Sequence, residues 1–216
     1  MTKEVKSQLL KVSLIIFFIL FIDQFSKIWI KTNMMIGESI RVTDWFYILF
    51  VENPGMAFGI ELFNKMFLTL FRIVAVIVIG YGIFYTIKKG YKFSFTVAVA
   101  LIFAGALGNI IDCVFYGVLF SSSVGQVATF LPEGGGYAPL FYGKVVDMLY
   151  FPLIDTTLPS WIPWIGGNSF TFFDPVFNIA DSVICIGVFY ILLFQRKYLM
   201  DSAKEEELNK EEQSVL

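Results

Sequence analysis

Histidine is missing from this sequence altogether. Its absence removes Ser-His-Asp and Cys-His catalysis, imidazole metal sites and imidazole proton relays together. Cysteine is nearly missing: Cys113 and Cys185 are the only two, both in apolar stretches. Each therefore reads as a small core residue rather than half of a disulfide, and two cysteines make no structural zinc site. Charge is scarce as well. Only 16% of the 216 residues are Asp, Glu, Lys or Arg, where soluble domains carry about a quarter. No basic patch lies away from the apolar runs, so nothing points to a nucleic-acid partner.

What is abundant is oil: 57% of the chain is hydrophobic, including 25 Phe. A bilayer-spanning helix needs about 20 mostly apolar residues, and four stretches qualify. They run at about 9–30, 66–87, 93–116 and 175–194. The first follows Lys3, Lys6 and Lys11 like a secretory leader, but Asp23, Gln24 and Lys27 come after it in place of a small-residue cleavage site, so it reads as an uncleaved anchor. Lysine and arginine mark the cytoplasmic ends of membrane helices. They crowd the N-terminal arm, the KKGYK connection at 88–92 and the C-terminal end, whereas segment 117–174 carries only Lys144.

The fold class read from this pattern is an all-α membrane protein of four transmembrane helices with both termini cytoplasmic. Residues 1–200 form one domain whose segments 31–65 and 117–174 lie outside, and 201–216 is a charged cytoplasmic tail. The 39–51 stretch, SIRVTDWFYILFV, is rich in β-branched and aromatic residues and predicts a small extracytoplasmic β-structure. Trp161 and Trp164 place part of the second outer segment at the outer leaflet.

On that topology Asp23, Asp112, Asp147 and Asp181 come to one leaflet, with Asn53, Asn109 and Asn178 at the same level. Intramembrane polar groups usually face the bundle interior and pair. Asn178 and Asp181 also suit a helix N-terminus, and Lys27 or an Asn would satisfy Asp23 and Asp112 in a purely structural role. Two aspartates brought together share a proton, and one then acts as base while the other donates. This is aspartic-protease chemistry, and it suits a chain without histidine. Ser-Lys catalysis lacks a visible pairing.

Five motifs follow one another along the chain: DQFSK at 23–27, ENPGMAFG at 52–59, GALGNIIDC at 105–113, VVDM at 145–148 and FNIADS at 177–182. In these, and in its four apolar spans, the chain resembles the lipoprotein signal peptidases (signal peptidase II), aspartyl proteases of the bacterial inner membrane. The resemblance implies Asp147 and Asp181 as the catalytic pair, with Asp23, Asn53, Gly55, Asn109, Asp112 and Asn178 lining or supporting the site. Ala57 and Phe58 belong to the same outer-loop motif as Gly55. It implies a monomer acting on prolipoproteins whose cysteine carries diacylglycerol, in contact with membrane lipid, without metal or other cofactor, at a site on the extracytoplasmic side.

Two features depart from the family. Cys113 stands where an Arg usually follows the Asp of G-N-x-x-D, so a cation that would steady the polar cluster is missing. The separation of Asp147 from Asp181 is also longer than usual, and the extra aromatic, Pro-rich stretch predicts an outer-leaflet flap or wall over the site. The rival reading is a small proton- or ion-coupled transporter component, which requires acids near the bilayer midplane with access from both faces.

Overall fold

The structure is a computed structural model that describes residues 1–54 and 65–195. Gly55, Ala57 and Phe58 of the outer-loop motif, and the 201–216 tail, lie outside the described residues. The chain runs through helix α1 (Lys3–Asn33), strands β1 (Ser39–Arg41) and β2 (Tyr47–Asn53), helix α2 (Lys65–Lys88) and helix α3 (Phe93–Ile111). A π-helical turn (Asp112–Tyr116) and a short α4 (Gly117–Leu119) extend α3. Strands β3 (Val145–Tyr150), β4 (Ile154–Thr157), β5 (Ser169–Phe172) and β6 (Val176–Phe177) follow, and helix α5 (Ile179–Phe194) ends the described chain.

Among the described residues, three helices are long and apolar enough to cross a membrane: α1, α2, and α3 continued to Leu119. The fourth apolar stretch, expected to be helical from about Pro175, becomes helical only at Ile179 and is 16 residues long. Pairing explains the later start. Val176 and Phe177 are drawn into a sheet opposite Tyr150 and Leu149, and Asn178 then caps the helix.

α3 is the hub, packed against α1, α2 and α5. Without a hydrophobic force between helices in lipid, close association depends on small residues at the contact. α3 supplies Ala98, Ala100, Ala104, Gly105 and Gly108, all buried. Gly105 meets the start of α5 so closely that a Cβ there would stand 2.3 Å from the Ala180 carbonyl oxygen. Gly105→Ala is therefore expected to push α5 outward and to destabilise the protein by about 1–3 kcal/mol, read as a lower thermal unfolding midpoint in detergent.

The expected β-structure is present and larger than the 39–51 stretch alone. β1, β2, β3 and β6 form one antiparallel sheet in that order, with Val51 opposite Asp147 and Asn53 opposite Val145. The register shifts between Ile48 and Val51, an irregularity of the kind that re-aims side chains beside active sites. One face of this sheet closes on a core of Ile30, Met34, Phe50, Tyr116, Phe120, Val146 and Met148. The remaining strands, β4 and β5, form a separate antiparallel hairpin between β3 and β6.

Candidate active site

FNIADS forms the cap of α5. The Asn178 side chain accepts from the Asp181 amide (2.9 Å), and the Asp181 carboxylate accepts from the Asn178 amide (3.4 Å), a reciprocal capping box. Capping uses only the oxygen of the Asn178 amide. Its Nδ2 donates to Asp147 Oδ1 at 2.7 Å and to Asn109 Oδ1 at 3.1 Å. One fully buried side chain thus joins the strand that carries Asp147 to the helix that carries Asp181. Asn109 closes the ring, its Nδ2 donating to Asp181 Oδ1 at 2.8 Å. Asn53, across the sheet, hydrogen-bonds Asp147 through its side chain.

Asp147 is buried in β3. Desolvation, and then the negative charge of Asp181, push its pKa up to about 7, against the pull of the hydrogen bond from Asn178. It keeps a proton at a pH where an ordinary Asp has long lost one.

Behind this pair lies a second polar cluster built around Lys27. Its ammonium is fully buried and contacts Asp23 Oδ2 (3.0 Å), Asp112 Oδ2 (2.9 Å) and Asn109 Oδ1 (2.8 Å). Asp23 and Lys27 sit four apart on α1, neighbours on one helix face. The other oxygen of Asp23 accepts from the Ala180 amide at 3.0 Å, and Asp112 Oδ2 accepts from the Val146 amide at 3.3 Å. Each supporting aspartate therefore holds the backbone one residue before a candidate catalytic one. Gln24 donates to both Asp23 (3.1 Å) and Asp112 (3.0 Å), and receives the Tyr116 hydroxyl (3.1 Å). The π-helical turn sets this up: it widens the helix where Asp112 sits, as such turns do at functional sites, and its free carbonyls accept from the 141–143 loop.

The structure brings together seven of the eight site residues expected from the sequence: Asp23, Asn53, Asn109, Asp112, Asp147, Asn178 and Asp181. Gly55 is outside the described residues. Two features were not read from the sequence. Gln24 and Tyr116 complete the Lys27 cluster, and Gln24 lies within the DQFSK motif that signalled its neighbours. The expectation of a missing cation is corrected. Lys27 contacts Asp112 directly, and Cys113, buried, receives the Arg72 guanidinium of α2 at 3.4 Å. The positive charge next to this position comes from another helix.

A Ser-Lys contact also exists where none was visible in the sequence. Lys31 donates to Ser123 Oγ at 2.9 Å, but Lys31 is ion-paired with Glu52, and Ser123 donates to the same carboxylate at 3.1 Å. Both side chains are sealed from solvent, with Lys31 ringed by Phe50, Phe120 and Tyr137. Glu52, on the strand between β1 and β3, also takes Lys144 at 3.0 Å, so the network ties α1 and the 120–144 loop to the sheet.

Residues 15–196 match the family described as Signal peptidase (SPase) II. A lipoprotein signal peptidase of Porphyromonas gingivalis (strain W83) is 53% identical over 186 residues, covering 84% of this chain and 81% of the relative. One from Bacillus pumilus (strain SAFR-032) is 34% identical over 196 residues, covering 90% and 96%. A solved structure, "Bacterial membrane enzyme structure by the in meso method at 2.3 A resolution", superposes with a TM-score of 0.58 at 29% identity, over 90% of each chain. The chain belongs to the signal peptidase II family of aspartic proteases.

Proposed function

We propose that the protein removes signal peptides from diacylglyceryl-modified prolipoproteins, cutting just before the lipidated cysteine, with Asp147 and Asp181 as the water-activating pair. The observation that carries this reading is Asn178, whose side chain donates to the Asp147 carboxyl and whose backbone amide donates to the Asp181 carboxyl, at the head of one apolar helix. The relatives named lipoprotein signal peptidase supply the substrate class. The lysine and arginine distribution supports a site on the outer side of the membrane, with α5 as a fourth span and both termini in the cytoplasm, and the bacterial relatives support the inner membrane as its place. The protein is read as acting as a monomer.

The chemistry needs one proton on the pair. Asp147 holds it and hydrogen-bonds the scissile carbonyl, while ionised Asp181 takes a proton from the attacking water. Water oxygen bonds to the carbonyl carbon, and the Asp147 proton passes to the former carbonyl oxygen. In the collapse the carbon–nitrogen bond breaks, Asp181 gives its proton to the leaving amine, and Asp147 recovers one from the diol. Asn109 and Asn178 hold the two carboxyls in register.

Depth selects the substrate. A signal helix on one side of the bond and acyl chains on the other fix it at the leaflet, where the pair waits. An ion-coupled transporter would need polar groups continuing down the bundle. Among the described residues, the buried positions of α3 from Ala98 to Gly105 are all Ala or Gly.

The test is mass spectrometry of a synthetic precursor incubated with purified protein in lipid. The lipidated form is expected to be cut immediately before the modified cysteine, and the same peptide with unmodified cysteine to be left intact. Cleavage at another bond, or equal cutting of both forms, sinks the reading.

The pH dependence follows from Asp147. Its folded pKa lies above the unfolded value, so the once-protonated pair persists up to about pH 7 and is lost above it. kcat/KM, which reports ionisations of the free enzyme, is expected to fall beyond that point as a single ionisation, by about tenfold per pH unit. Linkage runs the same way for stability: the contribution of Asp147 to folding declines as pH rises from the ordinary Asp value of 3.8 to about 7, where the unfolded chain has released the proton that the folded chain still holds, and is least above that. A kcat/KM that stays flat well above pH 7 would contradict this protonation assignment.

A further inference from the structure

The β4–β5 hairpin takes no part in the site. It leaves β3 just after Asp147, returns to β6 just before Asp181, and carries no ionisable residue between Asp155 and Asp174. Its tip shows the largest apolar side chains at extreme exposure, with Trp164 99% and Trp161 79% exposed and Ile165 beside them. Trp164 adopts a left-handed backbone conformation, φ 65, which is strained for a bulky residue. That strain is spent on turning an indole away from the protein.

Exposed indoles alone do not say what covers them. The backbone does. In the hydrocarbon core every main-chain polar group needs an internal partner, whereas at the interface water still reaches some of them; this tip pairs about half of its own amides internally. Ile162 donates to Pro159, Gly166 to Ile162, Gly167 to Leu158, Leu158 to Asn168 and Asn168 to Ile165, all within 3.2 Å. β4 and β5 pair in full register below it. The charge-free run makes burial in an apolar medium free of any ionisation cost.

The base fixes where the tip can go. Phe151 stacks on Phe46 (4.7 Å between centroids) and on Phe177 (5.6 Å), and Phe173 meets Phe177 edge-on. The hairpin is thereby tied to the residue preceding Asn178, where the chain enters its apolar helix. Four-residue strands reach about 13 Å from there, which keeps the tip near the leaflet surface.

We propose that the tip of this hairpin, residues 158–168, inserts into the lipid interface of the leaflet that the Asp147–Asp181 site faces, with Trp161 and Trp164 as its anchors. The hairpin is a lipid-seated wall beside the site. Tryptophan's amphipathic ring suits that zone.

The test uses the full chain with Trp29 and Trp45 replaced by Phe, so that only Trp161 and Trp164 emit, in lipid nanodiscs whose phosphatidylcholine carries bromine high on the acyl chains. Brominated lipid is expected to remove most of the emission, and aqueous iodide little of it. In the same background, Trp164→Asp is expected to move the remaining Trp161 emission from lipid quenching to iodide quenching. Quenching by iodide without quenching by bromolipid overturns the proposal, because the tip is then in water. Protection from both also overturns it, because protein then covers the tip. Because the readout is fluorescence, its failure leaves the proposed cleavage reaction standing, and the reverse also holds.

Discussion

Asp147→Asn and Asp181→Asn are each expected to lower cleavage of a lipidated precursor by about 10²–10⁴-fold, the range a positioned proton-transfer group supplies. Asn keeps shape and an acceptor oxygen but neither takes water's proton nor carries the shared one. At position 147 the Oδ1 that receives Asn178 is retained, so the bridge to α5 survives. At position 181 the carboxylate accepts through both oxygens, from Asn109 and from the Asn178 amide. An amide keeps only one of these, at a cost of about 1 kcal/mol of stability. Loss of activity should therefore far exceed loss of stability in both variants. The double variant should be hardly worse than either single, because residues that act as a unit are not additive. The measurement is kcat in lipid beside the thermal unfolding midpoint of each variant. A single variant that retains full turnover would remove that residue from the pair.

The parts of this molecule that were legible in its sequence are those governed by local rules. Apolar length marked the helices, β-branched and aromatic density marked β1 and β2, and Asn178 with Asp181 three residues on announced a capped helix start. β6 was not legible. Val176 and Phe177 look like the beginning of the apolar run that follows them, and only their pairing with Leu149 and Tyr150 makes them a strand. The same limit applies at Cys113. A residue-by-residue reading looks for a cation at that position, whereas the fold brings the Arg72 guanidinium there from α2. Ser123 and Lys31 illustrate it again, since nothing in either local sequence signals a hydrogen bond between α1 and the outer loop. The site itself was legible because its groups come in short motifs. Their division of labour was not, because it depends on which backbone amide each carboxylate reaches.

That division of labour makes Lys27 the most consequential position outside the pair. Lys27→Met is expected to destabilise the protein by roughly 3–5 kcal/mol, the cost of leaving a buried charge without its partner. Two carboxylates depend on this ammonium, and the side chains of Lys27, Asp23 and Asp112 are 0–1% exposed. Water cannot replace the lost cation. Once it is gone, Asp23 and Asp112 repel each other through the space it filled. Their remaining ties, to the amides of Ala180 and Val146, come under strain. Those amides directly precede Asp181 and Asp147, so the variant is expected to lose cleavage as well as stability. Adding Asp112→Asn removes one of the repelling charges. The double variant should unfold at a higher temperature than Lys27→Met alone, while cleavage stays low because the Val146 amide has lost its charged acceptor. If Lys27→Met unfolds at the wild-type temperature, the cluster does not hold the two strands of chemistry together. If the double variant is less stable than the single, repulsion is not the cause of the loss.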